Sequence, residues 1–257
     1  MTRPDPTPLP HRRGVHVGRF HFTPGWIPTL ATLALLVLLF RLGQWQLDRA
    51  HYKEMVLERI ASRSQVGTAD LDSLLRLEGD VTDYPVQVRG HYLNEFNLLL
   101  DNRVHDAEPG YEVLTPFLTE NRVLLVNRGW IAQGASRAQF PAIPAEAEEQ
   151  TLQGTAHVPN PAFFVLKEDN YSAVSWPFLI QKIDLEKTAP LFDYPMVPFV
   201  LRLNPDPTSG FVREWHSDFM GPEKHYGYAV QWFSLFAALL VIYLVVNTHK
   251  IPLTQQE

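Results

Sequence analysis

The run Trp26-Ile27-Pro28-Thr29-Leu30-Ala31-Thr32-Leu33-Ala34-Leu35-Leu36-Val37-Leu38-Leu39-Phe40-Arg41-Leu42-Gly43-Gln44-Trp45 decides what kind of chain this is. No formal charge lies between Arg19 and Arg41. As a helix, the run sets its two bracketing tryptophans about 28 Å apart. That matches a hydrocarbon core of roughly 30 Å with an aromatic anchor at each interface. A core helix of a soluble protein rarely stays uncharged this long. A cleaved signal peptide would place small residues after the apolar run, but Arg-Leu-Gly-Gln-Trp-Gln follows Phe40. A mitochondrial presequence fits no better, because residues 1–22 hold no Ser, four prolines and the acidic Asp5. The run reads as an uncleaved membrane anchor in a bacterial-style chain.

A second apolar stretch covers residues 228–246, where only Gln231 and Ser234 are strongly polar. An aromatic cluster (Tyr226, Tyr228, Trp232) opens it, and His249 and Lys250 follow it. The expected organisation is a cytoplasmic tail at 1–22, a transmembrane helix at 23–43, a domain at 44–225, a second transmembrane helix at 226–246 and a tail at 247–257. Two spans put both tails on one side. Charge does not say which side: Arg3, Arg12, Arg13 and Arg19 before the first helix are nearly balanced by Arg49, Lys53 and Arg59 after it. The mean hydropathy of −0.12 averages two lipid-length helices with a polar domain and describes neither.

The domain between them holds 16 of the 22 basic and 26 of the 28 acidic residues. Such an acidic surface argues against nucleic acid as a partner and permits a basic protein partner. The first helix is expected to continue to about Ser62, since no Pro or Gly interrupts it beyond Gly43. A short helix is expected over 70–77 with Asp70 as N-cap. Strands are expected near 86–90, 95–100, 111–118, 122–131, 152–158, 176–183 and 197–203, with residues 119–121 as a hairpin connection. Residues 135–149 lack periodicity and read as a solvated loop. The fold class is therefore a membrane protein whose two transmembrane helices flank a β-rich (α+β), antiparallel, barrel-like domain.

The 257 residues include no cysteine, which removes disulfides, cysteine–zinc sites, iron–sulfur clusters, covalent c-type haem and a thiol nucleophile. Phosphate-cradling GxxxxGK[ST], dinucleotide GxGxxG, nucleophile-elbow GxSxG and HExxH patterns are missing as well. His216-Ser217-Asp218 has triad residue types, but adjacency in sequence is not triad geometry. His216, Met220 and His225 offer soft and imidazole ligands for copper(I), at irregular spacing. His11, His16 and His21 sit among arginines, a pattern that suits lipid headgroups.

Stronger signals lie where domain and membrane meet. Trp45, Arg49 and Lys53 recur every four residues and line one helix face, so the two cations call for something negative opposite: lipid phosphate, an internal carboxylate or a ligand carboxylate. His225 stands at the mouth of the second helix beside Tyr226, Tyr228 and Trp232. An imidazole in that setting suits the axial position of a planar hydrophobic cofactor such as haem, while interfacial His and aromatics also serve simply as anchors. In Val126-Asn127-Arg128-Gly129-Trp130, alternation puts Arg128 and Trp130 on one face as a packing pair, with Gly129 allowing close backbone approach.

These blocks carry a resemblance. Leu42-Gly43-Gln44-Trp45-Gln46 with Arg49 and Lys53 resembles the signature of the surfeit locus protein 1 family. Gly110-Tyr111-Glu112-Val113-Leu114-Thr115-Pro116, Val126-Asn127-Arg128-Gly129-Trp130-Ile131 and His225-Tyr226-Gly227-Tyr228-Ala229-Val230-Gln231-Trp232-Phe233 agree with it in order. The likeness covers about residues 24–246. Tyr226 departs from it, since an aliphatic residue, usually Leu, is expected after the His.

The resemblance implies an assembly factor for haem–copper terminal oxidases, chiefly cytochrome c oxidase, and not an enzyme. It implies a multi-pass protein of the bacterial inner membrane with its main domain in the periplasm. Its partners would be the bilayer, the oxidase's catalytic subunit and the haem a synthesis machinery. Its cofactor would be haem a, with iron ligated by His225, the position matching the family's proposed haem ligand. Arg49 and Lys53 then become candidates for the haem propionates, and Tyr228, Trp232 and Trp45 for haem or interface contacts. Arg128, Gly129 and Trp130 are expected to shape the domain. The rival expectation is a membrane-anchored enzyme acting on haem or quinone, and a sensor would need a separate effector chain.

Overall fold

The computed structural model describes residues 15–17, 20–134, 139–146, 148–160, 162, 165, 168–215 and 221–250. The four N-tail arginines, His11, and residues 216–220 with their His-Ser-Asp and Met220 lie outside them. In chain order the elements are β1 (Val15–Val17), β2 (Phe20–Phe22), α1 (Trp26–Ser64), β3 (Ala69–Asp70), α2 (Leu71–Leu75), β4 (Pro85–Tyr92), β5 (Leu98–His105), β6 (Glu108–Thr119), β7 (Arg122–Ala132), β8 (Gln150–His157), β9 (Phe178–Ile180), α3 (Leu185–Thr188), β10 (Met196–Leu203), α4 (Pro222–Asn247) and β11 (Thr248–Lys250). They fall into two units, Met1–Val56 with Met220–Glu257, and Leu57–Phe219.

The first unit is a helix hairpin. α1 and α4 are both long and apolar enough to cross a membrane. At 39 residues α1 is about 58 Å long, roughly twice the length a span needs. Leu30, Leu33, Val37 and Leu38 on α1 and Val241, Ile242 and Val245 on α4 are exposed, which a soluble core helix would not allow. The buried positions form a seam: Leu36, Gly43, Gln46 and Ala50 on α1, Pro222 and Ala229 on α4. Along that seam Thr29 meets Tyr243, Phe40 meets Phe236 and Phe233, and His51 meets Tyr226, so the helices run antiparallel. A Cβ on Gly43 would stand 2.8 Å from the Phe233 ring, so only glycine permits this approach. Beyond the helix ends, β1, β2 and β11 form a three-stranded antiparallel sheet from the two tails. The segments expected as plain tails thus pair as strands, through contacts between stretches far apart in the chain.

The second unit begins with the last turns of α1. Arg59 pairs with Asp83 at 3.0 Å, and Arg63 lies over the Tyr84 ring at 4.6 Å. α2 starts as expected, with the Asp70 carboxylate accepting the Ser73 N–H at 2.7 Å. An eight-stranded sheet in the order β3-β4-β8-β10-β7-β6-β5-β9 follows, and β4 also pairs with β6. That extra pairing closes β4, β8, β10, β7 and β6 into a five-stranded barrel. The expectation of an antiparallel sheet is corrected: β7 and β10 run parallel, as do β5 with β9 and β3 with β4. The reason for the first is parity, because neighbours round a ring of five cannot all alternate in direction. β6 and β7 join through Glu120 and Asn121, whose φ angles of 47° and 59° match the mirror-image turn that short hairpins favour.

The barrel interior holds Val86, Val88, Tyr92, Phe117, Leu124, Val126, Phe199 and Leu201, with Leu71 and Leu74 of α2 packed into the same cluster. Burial pushes the Tyr92 phenol up to about 12, against the opposing pull of Arg128. A raised folded-state value means the neutral phenol is favoured by the fold. Its stability contribution is therefore complete below the unfolded value of about 10 and is lost as pH rises through about 12. Denaturation of the full chain across pH 10–12 is expected to show this decline, and Tyr92→Phe to flatten it. An equal decline in both proteins would contradict the assignment.

Candidate functional site

Helical phase brings His225 to the seam. Gly43, Gln46 and Ala50 repeat at three and four residues, so the polar Gln46 is carried inward between two small neighbours. Its amide Oε1 lies 2.8 Å from His225 Nδ1. An amide oxygen only accepts, so Nδ1 carries the proton and donates it, and Nε2 presents its lone pair. This is how a ligating histidine is commonly oriented, through the hydrogen bond on its other nitrogen. His225 itself is half-buried.

The surroundings of His225 are open and aromatic. Tyr228 is exposed and Trp232 half-buried, while the Tyr226 ring meets His51 edge-on at 6.1 Å. Tyr226, the departure from the family pattern, is thereby held by a partner on α1. A half-buried imidazole with Tyr228 and Trp232 three and seven residues on, along its own helix face, fits a flat apolar ligand. Trp45 is exposed, Arg49 is exposed with its guanidinium 5.5 Å over Tyr52, and Lys53 is half-buried. Lys53 follows Gln46 by seven residues, about two turns, and so lies close to the seam's phase. The structure joins His225 directly to Gln46, a residue to which the sequence pattern alone assigns no role. The spacing of Gly43 and Ala50 around it was the available signal.

The Arg128 region is different in kind. The pairing slips between Val113↔Gly129 and Leu114↔Asn127, leaving Arg128 as the extra residue of a β-bulge. The expected Arg128–Trp130 pair does not form, because the bulge breaks the alternation on which it rested. Arg128 instead lies over the Tyr92 and Phe211 rings at 5.0 and 4.8 Å, donates to the Pro144 carbonyl and pairs with Glu146 at 3.1 Å. Its burial lowers the guanidinium from its ordinary value, opposed by Tyr92 and Glu146. Trp130 packs on His105 and donates to the Arg103 carbonyl. A cleft of about 500 Å³ opens beside Arg128 and Arg213. Arg213 donates to the Arg128 and Asn204 carbonyls, so both cations are committed to holding the domain. Among the described side chains, no three of His, Asp and Glu are gathered as a metal site.

Comparison with known proteins places most of the chain within one family. The SURF1 family model matches residues 33–237, which takes in Gln46, the barrel and His225. A SURF1-like protein of Rickettsia bellii is 25% identical over 229 residues, covering 84% of this chain and 89% of its own. Surfeit locus protein 1 of Gallus gallus is 27% identical over 236 residues, covering 83% of this chain and 73% of its own.

Proposed function

Since the chain belongs to the SURF1 family, we propose that it is an assembly factor for haem–copper terminal oxidase that holds haem a and passes it to the catalytic subunit. It acts as a chaperone, without turnover, in the bacterial inner membrane. α1 and α4 cross the bilayer, and the barrel domain lies in the periplasm. The haem a synthesis machinery is the donor.

The observation that supports this reading is the Gln46–His225 hydrogen bond, which leaves the Nε2 lone pair available to a metal. Haem a, when bound, supplies the iron porphyrin that the oxidase requires. His225 would hold the iron through Nε2, and Gln46 would keep the imidazole in the ligating tautomer and orientation. Tyr228 and Trp232 would offer ring faces to the macrocycle, and Trp45 would anchor α1 at the interface. Arg49 and Lys53 would meet the propionates, a role that suits cations on the polar side of an apolar cofactor.

The test is to purify the full chain from cells that also make haem a and record its visible spectrum. His225→Ala is expected to lose the bound haem. Gln46→Leu, which keeps the ligand but frees its orientation, is expected to weaken binding by about 10–100-fold. Full haem a occupancy in His225→Ala would sink the ligand assignment. Turnover of haem or quinone by the purified chain would favour an enzyme instead.

A further inference from the structure

The cleft beside Arg128 and Arg213 holds a polar group that the fold does not use. Tyr92 is only 6% exposed, and its hydroxyl has no hydrogen-bond partner among the described residues. A buried hydroxyl left unpaired costs stability, so its presence in the barrel calls for a reason. The charges that act on the phenol are Arg128, Arg213 and Glu146, and all of them line the same cleft as Tyr92. The ring packs on Phe117 in the barrel, and its hydroxyl end faces the cleft.

The charges of the cleft are unevenly matched. Arg128 is compensated by Glu146 at 3.1 Å. Arg213 donates through Nε to the Arg128 carbonyl and through Nη1 to the Asn204 carbonyl, both at 2.8 Å. Those carbonyls fix the guanidinium without neutralising it, and Nη2 has no partner among the described residues. Asp206 attracts Arg213 but forms no ion pair with it. The Asp206 carboxylate instead accepts from the Thr208 N–H at 2.9 Å and the Thr208 hydroxyl at 2.7 Å. Arg213 is thus a half-buried cation, held at the cleft wall with one edge free. Leu152, Leu203 and Phe211 give the same wall an apolar part.

We propose that this cleft binds a monocarboxylate carried on an apolar body, received by the Tyr92 hydroxyl and the Arg213 guanidinium. A carboxylate accepts from a phenol and from a guanidinium alike, and such charge-assisted hydrogen bonds are the strong ones. One uncompensated cation matches one negative charge. A phosphate dianion would bring a second charge towards Glu146 and Asp206, which repel it. The apolar part of the wall suits a carbon skeleton, and a volume of about 500 Å³ is that of a small-ligand site. A free carboxylic acid and the end of a polypeptide both offer this group. The cleft belongs wholly to the barrel unit, so the site does not rest on the reading of His225.

The test is equilibrium dialysis of labelled butyrate against the full chain in detergent at neutral pH. Butyrate is expected to bind saturably at one equivalent, and butyramide, of the same shape without the charge, is expected not to compete. Tyr92→Phe should weaken butyrate binding about tenfold or more and leave Tm unlowered, because the hydroxyl it removes bonds to nothing in the protein. Arg213→Lys keeps the charge but loses the planar fork, and should weaken binding by a similar factor. If that variant unfolds the domain, Tyr92→Phe decides the matter. Acetyl-leucyl-leucine stands for a chain end: if it binds more tightly than butyrate, a polypeptide is the source, and if less tightly, a small acid is; both uphold the carboxylate. Undiminished butyrate binding in Tyr92→Phe overturns the proposal, as does the lack of saturable binding or equal competition by butyramide. A lowered Tm in Tyr92→Phe would make the hydroxyl part of the domain's own framework and overturn it as well.

Discussion

Replacing Phe117 with alanine is expected to cost the full chain about 3–5 kcal/mol of stability, near the top of what a single core truncation does. Phe117 is fully buried in the barrel, and its ring meets Tyr92 edge-on at 5.0 Å. It also stands where β6 closes on β4, because Tyr92 and Phe117 are cross-strand partners in that pairing. Truncation removes the ring contact and leaves a cavity at the joint of the barrel. The loss is read from denaturant unfolding followed by near-ultraviolet dichroism. Phe117→Leu should cost clearly less, as it refills most of the space. A loss below about 1 kcal/mol for Phe117→Ala would mean that the closure is not a packed one.

Gly129→Ala is the second large effect. Gly129 has φ +121°, and an added Cβ would stand 2.6 Å from the Val212 carbonyl oxygen and 2.9 Å from Phe211 Cβ. The nearest obstruction is a backbone carbonyl, which no side-chain rotation can move. Relief would require moving residues 211–213, which are tied by the Trp130 N–H to Val212 at 2.7 Å and by the return bond at 2.9 Å. Backbone strain of about 1–3 kcal/mol plus two weakened hydrogen bonds gives about 3–5 kcal/mol. In a domain of this size that is a fall in Tm of roughly 10 °C. An unchanged Tm would show that the 211–213 segment yields freely.

What the sequence made legible depended on periodicity surviving. Residues 86–90 alternate cleanly, and β4 lies there with alternating burial. Asp70 followed by Leu71 announced a capped helix, and α2 begins there. Family blocks pointed to His225, and helical spacing around Gly43 contained the route to its partner Gln46. β5 was harder: the apolar run ends at Leu100, but the strand continues through Asp101-Asn102-Arg103 across an irregularity with Asn102 at φ 58°. The bulge at Arg128 shifted a face by one residue, a change that alternation cannot foresee. The parallel partnership of β7 and β10 joins strands far apart in the chain, and no local pattern encodes it. The tail sheet was hidden for the same reason, since β2 and β11 are separated by more than two hundred residues.

The five-membered ring has a consequence for synthesis. β10 is inserted between β8 and β7, both made well before it. A chain interrupted before Met196 would hold every other stave of the barrel yet expose two raw strand edges, and such edges recruit other chains. The ribosome must therefore deliver nearly the whole domain before any of it is protected, with α1 already made. Shortened products of this gene should be an aggregation hazard as well as a loss of function.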